Sequence, residues 1–319
     1  MNEAIERIAR IGIVPVIKLE SAKRAVPLAN ALVAGGIPIA EVTFRTDAAS
    51  DAIHAMRAEA SQVLVGAGTV SSAALAEKAV AAGARFVVCP AWDDGVVDYC
   101  LASGTPVIPG VSGPDGVARA LARGLDAVKF FPAEASGGVA MLDAFEGPFG
   151  SMRFIPTGGI DSSNIGSYAR RRQVLAVGGS WMASPELVEA GDWPGIERLC
   201  REAVLALHGF SFAHVGVDCP SAGAAGAAAA SLASLFGFSS KEGASSIFMS
   251  DAIELLMSPG PGGRGHITVR CNDIERATAY LRGMGVDILA GTERLDEGRL
   301  DAVYLDLSIG GFAIRLIRA

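Results

Sequence analysis

The stretch DAVKFFPAEASGGVAMLDAFEGPFGSMRFIPTGG (126–159) holds two apolar runs, DAVKFFP (126–132) and RFIPTGG (153–159). Each run is continuous rather than alternating and ends in Pro or Gly, which is typical of a strand buried on both faces of a parallel sheet. The short segment between the runs leaves room for a single crossover helix. This stretch therefore predicts a strand–helix–strand unit with parallel strands.

The same alternation continues on both sides of this unit. The other apolar runs are IGIVPVI (11–17), IPIAEVTF (37–44), QVLVGAG (62–68), RFVVCP (85–90), TPVIPG (105–110) and VLAVGG (174–179). Several of the stretches between them open with Ser, Thr or Asp and close with Gly, as helices do. Eight such units in about 205 residues match a (β/α)₈ TIM barrel. The alternative is an open doubly wound sheet, but its glycine fingerprint is missing after the first run, which ends in VIKLE.

The character of the chain changes after residue 207, so we predict two domains, 1–207 and 208–319. The runs FAHVGVDC (212–219), SSIFMS (245–250) and AIELLMS (252–258) read as strands, and the Ala-rich segment before the second run reads as a helix or a flexible linker. GHITVRCN, a helical stretch and a strand hairpin then repeat this order. We therefore predict a smaller α+β domain made of two βαβββ-like repeats.

Composition excludes several classes of protein. The 319 residues carry a net charge of −7, which argues against a general nucleic-acid or anionic-membrane binder. The five cysteines are widely spaced and form no C-x-x-C pair, so a disulfide framework and a cysteine zinc site are not expected. No secretory signal layout and no run of about 20 apolar residues is present. We expect a cytoplasmic protein without nucleic-acid or membrane partners.

Lys129 is the sharpest chemical signal. Only five of the 27 basic residues are lysines, and this one lies in DAVKFFPAE. Side chains alternate along a strand, so Val128 and Phe130 are predicted to face the helices while Lys129 points into the barrel. An amine that leaves water loses its preference for the charged form, and a neutral amine is what Schiff-base catalysis needs. The alternative is a structural lysine that reaches solvent or pairs with a carboxylate.

Other polar residues collect where predicted strands end, which is the active-site face of such barrels. Glu41 and Arg45 share a face of EVTFRT; they suit proton transfer and carboxylate binding, or they form a structural ion pair. Two Gly-Gly pairs follow late strands, where barrels commonly bind phosphate. The residues collected in this way are Glu41, Thr43, Arg45, Thr69, Lys129, Glu134, Thr157, Gly158, Gly159, Gly178, Gly179 and Ser180.

The motifs EVTFRT, VGAGTV, VKFFPAE, FIPTGGI and VGGSW, in this order over residues 5–206, resemble the 2-keto-3-deoxy-6-phosphogluconate (KDPG) and 4-hydroxy-2-oxoglutarate (KHG) aldolases. The resemblance implies a class I aldolase that is a homotrimer and needs no cofactor. It implies that Lys129 forms the Schiff base and that Glu41 is the general acid/base. The residues it places at the pyruvate carboxylate are Arg45, Thr69 and Thr157. Those it places at the phosphate are Gly158, Gly159, Gly179 and Ser180.

Two positions depart from the family pattern. Cys89-Pro90-Ala91 stands where Ser-Pro-Gly is frequent, and Val111-Ser112-Gly113 stands where a Thr is common. These positions line the cleft in the family, as Phe131 and Trp181 are expected to do as its walls. The departures affect which aldehyde is preferred. They leave the Schiff-base chemistry of the Lys129 amine unchanged. The resemblance implies cleavage of KDPG to pyruvate and glyceraldehyde 3-phosphate, of KHG to pyruvate and glyoxylate, or of both.

The second domain offers a different set of side chains. His214 and His266 lie in the first strand of each half-repeat, and Glu254 lies in a later strand of the first. Two His and a carboxylate suit Fe, Zn, Ni or Mn with open positions. The element order resembles the vicinal-oxygen-chelate (glyoxalase-like) fold over 211–319, in which a fourth ligand is often an acid; Arg315 stands at that place here. The alternatives are metal-dependent glyoxalase- or dioxygenase-like activity, an accessory domain with packed histidines, and a structural assembly module.

Overall fold

The computed structural model describes residues 2–319 and divides into two compact units. The first unit ends at Leu207 and the second spans His208–Ala319. Within residues 2–319, none of the helices combines the length and the apolar character that crossing a membrane requires.

The first unit is a closed parallel barrel. Its strands are β1 (Ile13–Ile17), β2 (Ile39–Thr43), β3 (Leu64–Gly68), β4 (Val87–Val88), β5 (Val107–Ile108), β6 (Gly110–Val111), β7 (Ala127–Phe130), β8 (Arg153–Pro156) and β9 (Val177–Gly179). One sheet runs β5-β4-β3-β2-β1-β9 and another β6-β7-β8. Parallel bridges join β8 to the β9 segment, and β5 and β6 are one strand interrupted at Pro109. The eight predicted strands therefore form the predicted TIM barrel.

Helices follow the strands of this barrel. They are α1 (Glu3–Ile11), α2 (Ala25–Ala34), α3 (Ala49–Glu59), α4 (Ala73–Ala81), α5 (Asp94–Ser103), α6 (Pro114–Ala122), α7 (Gly138–Phe145), α8 (Ile165–Ala169), α9 (Pro185–Ala190) and α10 (Trp193–His208). Several begin at side chains that accept a backbone N–H: Ser72 accepts from Leu75 and Asp93 accepts from Val96. Such caps satisfy amides that have no partner inside the helix.

Packing around β7 has the predicted alternation. The ring of Phe130 meets Phe145 of α7 edge-on, with ring centroids 6.2 Å apart, and Phe154 of β8 stacks on the same ring at 5.6 Å. These aromatic contacts fill the layer between the sheet and its helices. Lys129, one residue before Phe130, therefore points away from this layer and into the barrel.

The second unit consists of two βαβββ repeats around one eight-stranded sheet. The first repeat holds β10 (Ser211–Asp218), α11 (Ala222–Phe236), β11 (Ser240–Glu242), β12 (Ser246–Met249) and β13 (Ile253–Leu256). The second holds β14 (Gly265–Cys271), α12 (Ile274–Gly283), β15 (Arg294–Asp296), β16 (Arg299–Ile309) and β17 (Phe312–Arg318). The strand order is β11-β12-β13-β10-β14-β17-β16-β15.

Each repeat has its own core. Ala225 and Ala229 of α11 pack with Met249 and Leu255, so the Ala-rich segment is a helix and not a linker. Ile274 of α12 belongs to a second cluster with residues of β14, β16 and β17. The two repeats meet where β10 pairs antiparallel with β14 at the middle of the sheet. Residues on these two strands are therefore neighbours across the repeat boundary.

Candidate functional site

The barrel brings Lys129 and Glu41 together. The Lys129 Nζ donates to Glu41 Oε1 at 3.2 Å, although the two residues are 88 positions apart in the chain. Their side chains are 7% and 3% exposed, so water does not compete for the contact. A carboxylate within hydrogen-bond reach of a buried amine is placed to move protons to and from it.

The space for the Glu41 carboxylate comes from a residue that sequence reasoning passed over. A Cβ at Gly68, the last residue of β3, would lie 2.6 Å from Glu41 Cγ, closer than real carbon atoms pack. Gly68 pairs with Thr43 of β2, whose hydroxyl donates to the carbonyl of Ile17 at 2.8 Å. The signal was present in the sequence as a Gly within a predicted strand, which often marks a close approach.

A cavity of about 450 Å³ opens at the carboxyl ends of the strands. Its lining includes eight of the predicted site or wall residues: Thr43, Arg45, Phe131, Thr157, Gly158, Gly159, Gly179 and Ser180. Trp181, the other expected wall residue, also lines it, as does Lys18. Lys129 and Glu41 are not among its lining residues, but the Lys129 Nζ lies 5.4 Å from the centre of the ring of Phe131, which is one of them.

Two predicted residues are not among the residues that line the cavity. Thr69 is not among its lining residues but accepts a hydrogen bond from Arg45 Nε at 3.3 Å. Its φ of 56° is unusual for a β-branched residue, and such strain concentrates at functional sites. Pro90 also stays outside the lining and packs its backbone against Gly110, where a side chain would not fit.

Three residues of the two Gly-Gly pairs line the cavity, namely Gly158, Gly159 and Gly179. Gly158 and Gly159 have φ values of 101° and 79°, which a residue with a side chain rarely adopts. The amide of Glu134 donates to the carbonyl of Gly158, and the Glu134 carboxylate accepts a hydrogen bond from Tyr168. These two hydrogen bonds connect the segment after β7 with the segment after β8. Backbone N–H groups held in such a loop favour an anion.

Cys89 is buried near Lys129 and Glu41. Burial raises the pKa of its thiol to about 12, and the negative charge of Glu41 acts in the same direction while Lys129 opposes it. The thiol therefore stays protonated at neutral pH and presents a small, weakly polar surface.

The second unit brings His214, Glu254 and His266 together. Glu254 Oε2 lies 3.2 Å from the Nε2 of each histidine, and one ligand atom from each residue falls within 4.8 Å of the others. Metal bonds of about 2.1 Å that meet at angles of about 90–110° separate ligand atoms by about 3.0–3.4 Å. Both His–Glu distances therefore fit ligands of one metal ion.

Further polar groups orient these three residues. The Tyr304 hydroxyl lies 3.1 Å from His266 Nδ1, and Ser246 donates to Glu254 Oε1 at 2.7 Å. The Thr268 hydroxyl lies 3.0 Å from His214 Nε2. Burial alone would raise the pKa of the Glu254 carboxyl, but hydrogen bonds with His214, His266 and Ser246 hold it well below its usual range. The carboxylate is therefore charged, as a metal ligand must be.

Comparison with known proteins concerns the first unit. A sequence model of the KDPG and KHG aldolases matches residues 4–199. The 2-dehydro-3-deoxy-phosphogluconate aldolase of Treponema pallidum is 46% identical over 204 residues, which are 64% of this chain and 97% of that protein. The KHG/KDPG aldolase of Escherichia coli is 43% identical over 60% of this chain and 90% of that protein.

Solved structures agree with these relatives. The KDPG aldolase of Legionella pneumophila, captured with pyruvate as a covalent carbinolamine, is 38% identical and superposes with a TM-score of 0.61. The superposition covers 63% of this chain and 98% of that structure. The likeness thus extends over nearly the whole length of each relative and over the first unit of this chain.

Proposed function

This chain belongs to the KDPG and KHG aldolase family, and we propose on that premise that it cleaves KDPG to pyruvate and glyceraldehyde 3-phosphate, KHG to pyruvate and glyoxylate, or both. Family membership makes it a carbon–carbon lyase of the Schiff-base class. The observation that carries the proposal is the buried contact of 3.2 Å between Lys129 Nζ and Glu41 Oε1. An amine and a proton carrier in contact are the two groups that Schiff-base chemistry uses.

The proposed reaction begins when the Lys129 amine adds to the C2 carbonyl of the substrate. Glu41 moves the protons as the carbinolamine loses water to an iminium. The iminium accepts the electrons of the C3–C4 bond while the C4 hydroxyl gives up its proton, so an aldehyde leaves and an enamine remains. Protonation at C3 and addition of water then release pyruvate and restore the amine.

Substrate binding is proposed for the residues that line or border the cavity. Arg45 and the hydroxyls of Thr69 and Thr157 would hold the carboxylate, since a guanidinium binds carboxylates with paired hydrogen bonds. The backbone of Gly158 and Gly159, together with Gly179 and Ser180, would hold the phosphate. Pro90 and Phe131 would bound the space for the aldehyde. Phosphate recognition is what separates KDPG from KHG as substrates.

Borohydride reduction in the presence of pyruvate tests this proposal. The wild-type protein should gain one reduced pyruvate on the peptide that contains Lys129, and Lys129→Ala should neither gain it nor cleave KDPG. Lys18→Ala is the matched control, because Lys18 lines the same cavity but is 40% exposed and paired with Glu20. Retained cleavage in Lys129→Ala, or an adduct on another lysine, would contradict the assignment.

We also propose that the family's homotrimer is the working form and that the protein acts in the cytoplasm. Light scattering of the purified full chain gives the number of subunits, and a monomer or dimer would contradict the first part. Fractionation of cells that produce the protein tests the second part.

For the second unit we propose a divalent metal site at His214, Glu254 and His266, as the glyoxalase-like resemblance implies. The supporting observation is the spacing of 3.2 Å between Glu254 Oε2 and both Nε2 atoms. A metal at this place would supply a Lewis acid with open positions. Metal analysis of protein loaded with one metal at a time should find one equivalent per chain, and none in His214→Ala. No stoichiometric metal would favour the alternatives of an accessory or purely structural domain.

A further inference from the structure

The strand register shows which residue of the second repeat corresponds to Glu254. In the first repeat Gly216 of β10 pairs with Glu254 of β13, and in the second Thr268 of β14 pairs with Arg315 of β17. His214 and His266 each lie two residues before Gly216 and Thr268. Arg315 therefore occupies the place that the repeat gives to a second carboxylate.

Arg315 is also close to the metal triad in space. Its Nη1 lies 3.7 Å from Glu254 Oε2, and its guanidinium carbon lies 5.7 Å from the centre of the Tyr304 ring. The side chain is 14% exposed. Its Nε is buried and has no hydrogen-bond partner among residues 2–319. A buried N–H without an acceptor costs free energy, which a bound acceptor would recover.

The charges around the triad point to an anion. Glu254 and Arg315 cancel each other, so the charge of a divalent cation at the triad would stand uncompensated in a buried site. An acid at position 315 would instead have supplied the second negative charge. The missing negative charge has to come from a ligand.

The second unit has a cavity whose lining includes two neighbours of the triad, but neither Arg315 nor the triad residues themselves. This cavity of about 570 Å³ is lined in part by Ser246 and Phe248 of β12. Ser246 donates to Glu254, and the Phe248 ring meets the His214 ring with centroids 5.1 Å apart. Both lining residues thus contact members of the triad directly, and the volume exceeds what a molecule of a few carbon atoms needs.

We propose that the second unit binds a small carboxylic acid, with Arg315 holding the carboxylate beside the metal. The inference rests on the metal site proposed above. The guanidinium presents two N–H groups in a fork that matches a carboxylate, and the buried Nε is free to complete it. Small 2-oxo acids belong to this class, and pyruvate, the product proposed for the barrel, is one of them.

The test uses the full chain with Lys129→Ala, which removes the barrel amine, and Co²⁺ as a spectroscopic probe of the triad. Pyruvate should change the Co²⁺ absorption in a saturable way, whereas the uncharged pyruvamide should not. Arg315→Gln should keep Co²⁺ binding and weaken pyruvate binding about ten- to a hundredfold, the usual loss for a charged hydrogen-bond partner. Arg315→Glu should bind Co²⁺ more tightly than wild type and lose the response to pyruvate.

Arg318→Gln is the matched control. Arg318 lies in the same strand and pairs with Asp301 at 3.4 Å, away from the triad, so its replacement should leave pyruvate affinity unchanged. Circular dichroism would verify that each variant is folded. Unchanged pyruvate affinity in Arg315→Gln, or no response to pyruvate in the parent chain, would overturn the inference while the metal site stands. Failure of the folded parent chain to bind Co²⁺ would overturn both.

Discussion

At the scale of single residues, the position of the Glu41 carboxylate depends on the absence of a side chain at Gly68. The carboxylate occupies space that any side chain at position 68 would fill, and Glu41 is buried, so it has nowhere to move without disturbing Lys129. Overpacking of this kind costs about 1–3 kcal/mol when the protein absorbs it. The effect on catalysis should exceed the effect on stability, because the displaced group is the proposed proton carrier.

Gly68→Ala should therefore lower kcat by about a hundredfold or more, within the range that general acid–base groups contribute. The adduct with pyruvate and borohydride should still form, since Lys129 remains. Gly147→Ala is the control, because a Cβ there meets nothing within 4 Å, and it should keep wild-type kcat. Steady-state rates with KDPG measure the outcome; an unchanged kcat in Gly68→Ala would mean that Glu41 does not carry the proton.

His208 makes a second prediction at this scale. It is buried against the rings of Phe210 and Tyr280, with centroids 5.2 and 4.7 Å away. Burial lowers its pKa to about 4, and the positive charge of Arg276 acts in the same direction. The unfolded chain takes up this proton near pH 6.5, while the folded protein resists it until about pH 4.

The contribution of His208 to stability should therefore be full above pH 6.5 and fall as the pH drops to about 4, by about 3 kcal/mol in all. His208→Phe, which keeps an aromatic ring but cannot take up a proton, should lose less stability than wild type over this interval. Thermal unfolding of both proteins between pH 7 and pH 4 measures the difference. Parallel pH dependences would show that His208 is not held neutral.

At the scale of elements, the pairing of β10 with β14 brings together the two histidines of the proposed metal site. Gly216 lies opposite His266 in the antiparallel ladder, and a Cβ at Gly216 would lie 2.5 Å from His266 Nε2. The absence of a side chain on β10 thus lets the His266 ring cross toward Glu254. His214 and Thr268 face each other in the same ladder.

Gly216→Ala should displace the His266 ring and weaken Co²⁺ binding at least tenfold, because one of three ligands is lost from its position. Gly226→Ala is the matched control: it lies in α11, where a Cβ meets nothing within 4 Å. That change should leave Co²⁺ binding intact and stabilise the helix by about 0.5–1 kcal/mol. Titration of both variants with Co²⁺ measures their affinities for the metal. Equal affinities would argue against His266 as a ligand.

At the scale of the whole molecule, the likeness to the aldolases is confined to the first unit. The relatives of this chain are covered almost completely by its first unit, 97% in the case of the Treponema pallidum protein. The barrel residues that make up the proposed active site all lie before residue 207, as do those that line its cavity.

A protein truncated after Leu207 should therefore keep the kcat and KM of the full chain for KDPG. It should also keep the same number of subunits, because the trimer is proposed from relatives that lack residues beyond this point. Kinetics and light scattering of the two proteins measure both quantities. A lower oligomer after truncation would instead support the alternative in which the second unit is an assembly module.

The sequence alone determined the architecture of both units, because the apolar residues of each long strand indicate that strand locally. The two strands it did not indicate, β11 and β15, have three residues each and are fully exposed, so no apolar pattern marks them. Lys129 could be identified for the same local reason. A charged side chain between Val128 and Phe130 is unusual in a buried strand, and the sequence alone shows it.

Only the tertiary structure decided which side chains meet. The contact of Lys129 with Glu41 joins β7 to β2 across the closed barrel, and the spacing of the metal triad depends on the register of β10, β13 and β14. Distances between residues that are 88 or 40 positions apart follow from closure and register, which no local pattern encodes. The same reason applies to the space beside Gly68 and to the Nε of Arg315 that has no hydrogen-bond partner. In each case the surroundings consist of atoms from other strands.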